Sequence, residues 1–187
     1  MHLNPYGEDP VKLAADLANR RPADIGELTD RCRAAGVALD LPVTDRDLDR
    51  TLEVLEAWEK VVDAGDEEER AELLNRMLAT AAAYPRMTNH MGTGWHLHYR
   101  DEGQSLGDVL YSLIAVGTAL HLAGRGMRRL RRCEVTECTE IFADTSRTGR
   151  QRYCSPRCAN RDAVRRHRAR TAPTGRVAQA PDQGKVN

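Results

Sequence analysis

The chain has 187 residues, of which 41% are hydrophobic and 4% aromatic. This composition excludes a disordered chain, and the length accommodates one medium-sized and one small domain with a core of Leu, Val and Ala. The formal net charge is zero, yet residues 1–124 carry 12 basic and 22 acidic side chains and residues 125–187 carry 16 and 6. The resulting balances of −10 and +10 favour a polyanionic partner for the basic part.

Four amphipathic helices are predicted in the first 85 residues, each with a local start or stop signal. In chain order these signals are Asp9-Pro10, Arg21-Pro22, Asp24, Thr44 with Asp47, Asp66 with Glu69, and Pro85. Cys32 shares a face of the second helix with Leu28. We therefore interpret Cys32 as a small core residue and not as a fifth metal ligand.

A change of period after Pro85 predicts a β-hairpin. Apolar and polar residues alternate over residues 95–100, and residues 87–91 form the partner strand across a glycine-containing turn. On the predicted strand His96 and His98 would project from one face, and His90 on the predicted partner strand is expected near them. These three histidines are a candidate pocket for a metal or an anionic small-molecule ligand of the N-terminal domain. The alternative is that they are ordinary histidines on a solvent-facing strand.

Ser105 starts a further helix, which Gly124 is predicted to end. Its apolar stretch, 109–124, is shorter than the roughly 18 to 20 residues of a membrane span. The stretch also contains four polar residues, Tyr111, Ser112, Thr118 and His121. We therefore expect a buried helix and no association with a membrane.

Four cysteines in the basic part have the spacing of a zinc site. Cys133 and Cys138 are followed, after fifteen residues, by Cys154 and Cys158. Two such pairs suit one tetrahedral zinc ion, and four thiolates leave no open position for water, so the predicted cofactor is a single structural zinc. Two disulfides or a redox cysteine are the alternatives. The chain shows no export leader, which favours a reducing, cytoplasmic location.

The segment between the cysteine pairs predicts a hairpin, in which Ile141 and Phe142 start one strand and residues 152–153 return to the metal. Ser155 is a good N-cap for a helix that carries Cys158 in its first turn. A zinc site with two ligands from a knuckle and two from the start of a helix is typical of the treble-clef fold. The predicted fold class is therefore α+β, with a mainly helical N-terminal domain, a small β-hairpin and a treble-clef-like zinc finger.

Four segments of the basic part resemble the CGNR-type zinc finger of bacterial proteins. They are Cys133-x4-Cys138, Phe142-Ala143-Asp144-x-Ser146-Arg147, Gly149-Arg150-x-Arg152-Tyr153-Cys154-Ser155 and Cys158-Ala159-Asn160-Arg161. In that family the finger follows an N-terminal ABATE domain, described as a stress-induced transcription regulator, and residues 13–20 and 130–133 resemble its beginning and its junction with the finger. Ala159 stands where the family usually has glycine, which a helix tolerates.

The resemblance implies two parts, an ABATE-like helical domain for sensing or dimerisation at 1–124 and the finger at 125–170, and residues 171–187 follow as a tail. The polar composition of the tail predicts disorder.

The last helix carries an arginine stripe, which predicts contact with duplex DNA. The candidate DNA-binding residues are Arg157, Arg161, Arg165, Arg166 and Arg168. The alternative is that arginines near the metal, Arg132 and Arg152 included, are counter-ions of the zinc–thiolate cluster. We expect Asn160 and Arg161 to be mainly architectural and the three later arginines to be free for DNA. On the other side of the helix, Ala159 and Ala163 are expected to pack on the hairpin.

The leading hypothesis is a bacterial transcription regulator whose zinc finger grips duplex DNA. Single-stranded nucleic acid is a weaker candidate, because the finger offers only Phe142 and Tyr153 as aromatic platforms. The alternative is a zinc-stabilised protein-interaction or assembly module, with a homodimer formed between oppositely charged parts. We expect no enzyme, because no nucleophile–base set, phosphate loop or open metal site is visible.

Overall fold

The computed structural model describes residues 7–39, 41–81, 83–88, 95–99, 101 and 103–171. In chain order the elements are α1 (Glu8–Asn19), α2 (Ile25–Ala34), α3 (Asp45–Asp63), α4 (Glu67–Ala81), β1 (Arg86–Thr88), β2 (His96–His98), α5 (Leu106–Arg125), a short 3-10 turn (Met127–Arg129), β3 (Leu130–Arg132), β4 (Ile141–Ala143) and α6 (Pro156–Thr171). The predicted tail and the predicted turn of the first hairpin lie outside the described residues. The predicted fold class is confirmed.

The helix starts follow the predicted capping signals. The Asp24 carboxylate accepts a hydrogen bond from the Glu27 N–H at 2.8 Å. Asp47 accepts from the Thr44 N–H at 2.9 Å and from the Thr44 hydroxyl at 2.8 Å. The other Asp47 oxygen accepts from the Gly107 N–H at 2.9 Å, so this buried carboxylate also ties the start of α3 to the start of α5.

α5 is the central helix of the N-terminal domain and packs against α1, α3 and α4. It does not end at Gly124, as predicted, but continues through Arg125 to Gly126, whose φ of 108° favours glycine. Its 20 residues are long and apolar enough to cross a membrane, so the length argument from sequence is wrong. However, 72% of the apolar window is buried within the protein, which confirms the predicted buried core helix.

The first hairpin is antiparallel, with Met87 opposite Leu97 and Arg86 opposite His98. This confirms the predicted strand pairing, although β2 covers only the middle of the predicted 95–100 strand. Both Met87 and Leu97 are exposed.

The second hairpin differs from the prediction. β4 pairs with β3, which precedes the first cysteine, and not with residues 152–153. Leu130 of β3 and Ile141 of β4 join the same apolar core as the helices of the N-terminal domain. The strands therefore form where their side chains are buried against the helical domain, which a local turn signal at Gly149 does not reveal.

Ion pairs reinforce this contact between the two parts of the chain. The Arg132 guanidinium makes two 2.7 Å contacts with the Asp63 carboxylate at the end of α3. The Arg70 side chain donates to the carbonyls of Val61, Val62 and Met127, linking α3 and α4 to the 3-10 turn. The finger is thus fixed to the acidic helical domain by directional contacts.

Candidate metal centre

The four predicted ligands, Cys133, Cys138, Cys154 and Cys158, come together in the structure. Their Sγ atoms all lie within 4.8 Å of one another, and Cys154 Sγ is 3.7 Å from both Cys138 Sγ and Cys158 Sγ. Four zinc–sulfur bonds of about 2.3 Å in a tetrahedron place the sulfurs about 3.8 Å apart. The separations are far longer than the roughly 2.05 Å of a disulfide, which excludes the disulfide alternative. The four cysteines therefore fit one structural zinc.

Each ligand is held by a short, locally determined element. Cys133 follows β3 directly, and the turn after it closes with a hydrogen bond from the Cys138 N–H to the Val135 carbonyl at 2.8 Å. At the other pair, the Ser155 hydroxyl accepts from the Cys158 N–H at 3.3 Å, as expected of an N-cap. The site thus draws two ligands from a knuckle and two from the start of a helix.

The pKa values of the clustered thiols favour a bound cation at this site. Burial, together with the neighbouring sulfurs and against a lowering hydrogen bond to Ser155, raises the pKa of the Cys154 thiol to about 12. Burial likewise raises the pKa of Cys138. Clustered, desolvated sulfurs of this kind become thiolates at neutral pH when a divalent ion compensates their charge. Cys32 lies apart, fully buried in the helical core, where burial raises its pKa to about 11. This confirms its predicted role as a core residue.

A buried carboxylate organises the loop between the cysteine pairs, a role that the sequence analysis did not assign to it. Asp144 is 0% exposed and accepts from the Ser146 N–H at 2.9 Å, the Ser146 hydroxyl at 2.5 Å and the Gln151 N–H at 3.1 Å. Burial alone would raise the pKa of Asp144, but these hydrogen bonds and Arg129 lower it below its usual value. The Asp-x-Ser spacing could have predicted this role, because an aspartate carboxylate in a turn commonly accepts a hydrogen bond from the backbone N–H two residues later.

Arg129 fills the space beside that loop. Its guanidinium donates to the Ser146 carbonyl at 2.7 Å and lies 3.5 Å from the Asp144 carboxylate. Gly149 has a φ of 65°, and a Cβ there would fall 2.4 Å from the Arg129 guanidinium carbon. The backbone conformation therefore favours glycine at this position, and the absence of a side chain leaves room for the Arg129 guanidinium.

The inner face of α6 is formed by Cys158 and Asp162, not by the predicted alanines. Asp162 is 5% exposed, whereas Ala163 is exposed and Ala159 half-buried. The metal ligand fixes which side of the helix faces inward, and the residue four positions later lies on that same side. The Tyr153 hydroxyl donates to Asp162 at 2.6 Å, which joins the second cysteine pair to the helix.

The arginines of α6 divide into two groups. Arg165 and Arg166 contact the Asp162 carboxylate at 2.6 and 2.9 Å, although sequence reasoning expected both to be free. Arg157, Arg161 and Arg168 are exposed and form no ion pair with any residue in the described part of the chain. Arg157 and Arg161 also border a groove that contains Cys138, Cys154 and Cys158. Arg132 and Arg152, considered as counter-ions of the metal, pair instead with Asp63 and Glu134.

The structure leaves the candidate histidine pocket untested. His98 is half-buried on β2, and the strand register places His96 on the same face. His90 and the side chain of His96 lie outside what the structure describes. The pocket therefore remains a prediction.

Comparison with family models confirms the resemblance seen in the sequence. Residues 129–171 match the CGNR zinc finger, and residues 12–125 match the ABATE family, whose description is "Putative stress-induced transcription regulator". Comparison with curated proteins gave no match. The two models follow one another in the order expected and cover most of the described chain. The chain belongs to the ABATE family and carries a CGNR zinc finger with four cysteines placed for one structural zinc.

Proposed function

We propose that this protein is a cytoplasmic bacterial transcription regulator that binds duplex DNA through α6 of its zinc finger. The observation that carries the proposal is the exposure of that helix. Arg157, Arg161 and every residue from 163 to 171 are exposed, and none of the other described helices or strands packs broadly against α6. A helix that is polar on all sides gains little from protein packing, so its arginines are available to a polyanion.

The charge on this helix supports a modest number of phosphate contacts. The candidate arginines 157, 161, 165, 166 and 168, together with Asp162, carry a net of four positive charges. Arg157, Arg161 and Arg168 carry the main part of the proposed contact, because Asp162 already neutralises part of the Arg165 and Arg166 charge. An α-helix about 10 to 12 Å across also fits a major groove about 12 Å wide.

Two competing partners receive less support. Phe142 is 7% exposed, and the Arg152 guanidinium carbon lies over the Tyr153 ring at 5.8 Å from its centroid, so neither ring is a free stacking platform for single strands. For the assembly hypothesis, part of the opposite charge on the two regions is used within one chain, since Arg132 pairs with Asp63 and Glu59 of α3. The charge split therefore has an intramolecular role, and it does not by itself require a homodimer.

The test is binding of the zinc-loaded protein to random-sequence duplex DNA, measured by fluorescence anisotropy across salt concentrations. With about four phosphates neutralised, log affinity should fall against log salt with a slope near −3.6. Changing Arg157, Arg161 and Arg168 together to Ala should abolish most of the binding. A control that changes Arg33, Arg46 and Arg76 of the helical domain to Ala removes the same charge and should keep the slope. Affinity that is independent of salt, or equal loss in both variants, contradicts the proposal.

A further inference from the structure

The outward side of α6 has a regular chemical pattern. Residues four positions apart form rows along a helix, and two adjacent rows lie on the exposed side of α6. One row consists only of arginines: Arg157, Arg161 and Arg165. The other holds an amide, a branched apolar side chain and a guanidinium: Asn160, Val164 and Arg168. The same six residues line one continuous surface groove.

The mixed row points away from the protein. Cys158 and Asp162 define the inner face, and the helical period places Asn160 and Val164 on the opposite side. Val164 is 50% exposed, and the Asn160 side chain is exposed and forms no hydrogen bond with the described residues. Neither residue belongs to the apolar clusters of the described residues. Single exposed apolar residues are common, but here the valine lies between two exposed polar groups in the centre of a cationic face.

We propose that the row Asn160, Val164 and Arg168 reads base edges in the major groove, while Arg157 and Arg161 contact the phosphates beside it. This inference rests on the proposed binding of duplex DNA. An asparagine amide pairs with N6 and N7 of adenine, an apolar side chain contacts the thymine methyl group, and an arginine pairs with O6 and N7 of guanine. The row thus offers three base-reading groups of different chemistry, whereas the neighbouring row offers charge alone.

The length of the row sets the size of the site. Asn160 and Arg168 are eight residues apart, which corresponds to about 12 Å along a helix. At about 3.4 Å per base pair, this distance spans three to four base pairs. One copy of the finger should therefore specify a short core that contains at least one A·T pair, and any longer site requires a second copy or a second contact.

The experiment is selection of binding sites from a random duplex library by the zinc-loaded full chain. The wild type should enrich a core of about three to four base pairs. Asn160→Ala should weaken the preference for adenine at one position by about 5- to 150-fold, the loss expected for one bidentate contact. Arg170→Ala is the matched control. It removes a charge from α6 outside both rows, so it should lower affinity for every sequence alike and leave the selected core unchanged.

A second measurement isolates Val164. Replacing thymine by deoxyuridine in the selected duplex removes only the methyl group, and should weaken binding of the wild type by about fourfold, the value of one buried methyl. Val164→Ala shortens the apolar side chain and should therefore discriminate between the two duplexes less than the wild type does. Because Asn160 and Val164 are exposed, both variants should keep one zinc per chain, which metal analysis verifies.

The possible outcomes distinguish failure of base reading from failure of the proposed DNA binding. Base reading is contradicted if the wild type binds duplexes without any base preference. It is also contradicted if the wild type, Asn160→Ala and Val164→Ala all select the same core. In both cases the proposed DNA binding still holds. Failure of the wild type to bind any duplex at low salt overturns both.

Discussion

The side-chain amide of Asn19 forms two hydrogen bonds with the backbone of Ile141, 122 residues later in the chain. Asn19 Nδ2 donates to the Ile141 carbonyl at 2.9 Å, and the Ile141 N–H donates to Asn19 Oδ1 at 2.8 Å. The Asn19 amide thus makes the hydrogen bonds that a neighbouring strand would make with Ile141, the first residue of β4. This contact lies at the end of α1 and joins the helical domain to the zinc finger.

Replacing Asn19 by Ala should destabilise this junction. The Ile141 residue is 2% exposed, so its N–H and carbonyl would lose their partners without full access to water, at a cost of about 1–3 kcal/mol. Denaturant unfolding measures the change in the free energy of unfolding. Asn75→Ala is the control, because Asn75 is exposed on α4. Equal stability of the two variants would show that the Asn19 contact is not formed in solution.

Replacing Cys138 by Ser should remove zinc from the purified protein. The wild type should contain one zinc per chain, and loss of one of four thiolates opens the site and lowers its affinity. Cys32→Ala, the cysteine control, should keep its zinc and lose only some stability, because Cys32 lies in the helical core. Elemental analysis gives the metal content. Substantial zinc in Cys138→Ser, or its absence from Cys32→Ala, would contradict the assignment of the ligands.

Asp162→Asn should strengthen binding to duplex DNA. The asparagine can still accept a hydrogen bond from Tyr153, but it no longer neutralises Arg165 and Arg166. One additional phosphate contact should make the slope of log affinity against log salt steeper by about 0.9. Asp49→Asn, an exposed change of the same charge on α3, is the control and should leave the slope unchanged. A slope that stays at the wild-type value in Asp162→Asn would show that these arginines do not contact DNA.

Asp47 should make the helical domain sensitive to acid. Burial alone would raise the pKa of Asp47, but hydrogen bonds from Gly107 and Thr44 lower it below the usual 3.8. A carboxyl whose pKa is lowered by folding contributes stability above its unfolded value, and this contribution is lost as the pH falls through about 4 and below. Asp47→Asn should therefore be less stable at pH 7 and lose less stability on acidification.

The measurement is the free energy of unfolding of both proteins between pH 7 and pH 3. Comparison with the wild type separates the Asp47 effect from protonation of the cysteines, which both proteins share. Asp49→Asn again supplies a control on the same helix. If the free energy of unfolding changes with pH in the same way for the wild type and Asp47→Asn, the proposed role of this carboxylate is wrong.

The sequence by itself determined the features that depend on near neighbours. The capping signals at Asp24 and Thr44, the helical periods and the cysteine spacing were sufficient, because each concerns residues a few positions apart. The charge asymmetry and the family were also visible without coordinates.

Tertiary structure alone decided which strand pairs with Ile141, and which arginines of α6 are neutralised. β4 pairs with β3 because Leu130 and Ile141 bury their side chains in the helical core, where β3 contacts α3 and β4 contacts α1, two helices that end more than 60 residues earlier in the chain. Asp162 faces inward because Cys158 is held in the cysteine cluster, and this orientation separates the paired Arg165 and Arg166 from the outward Asn160 and Val164. Burial and metal geometry act between residues distant in sequence, so no local pattern records them.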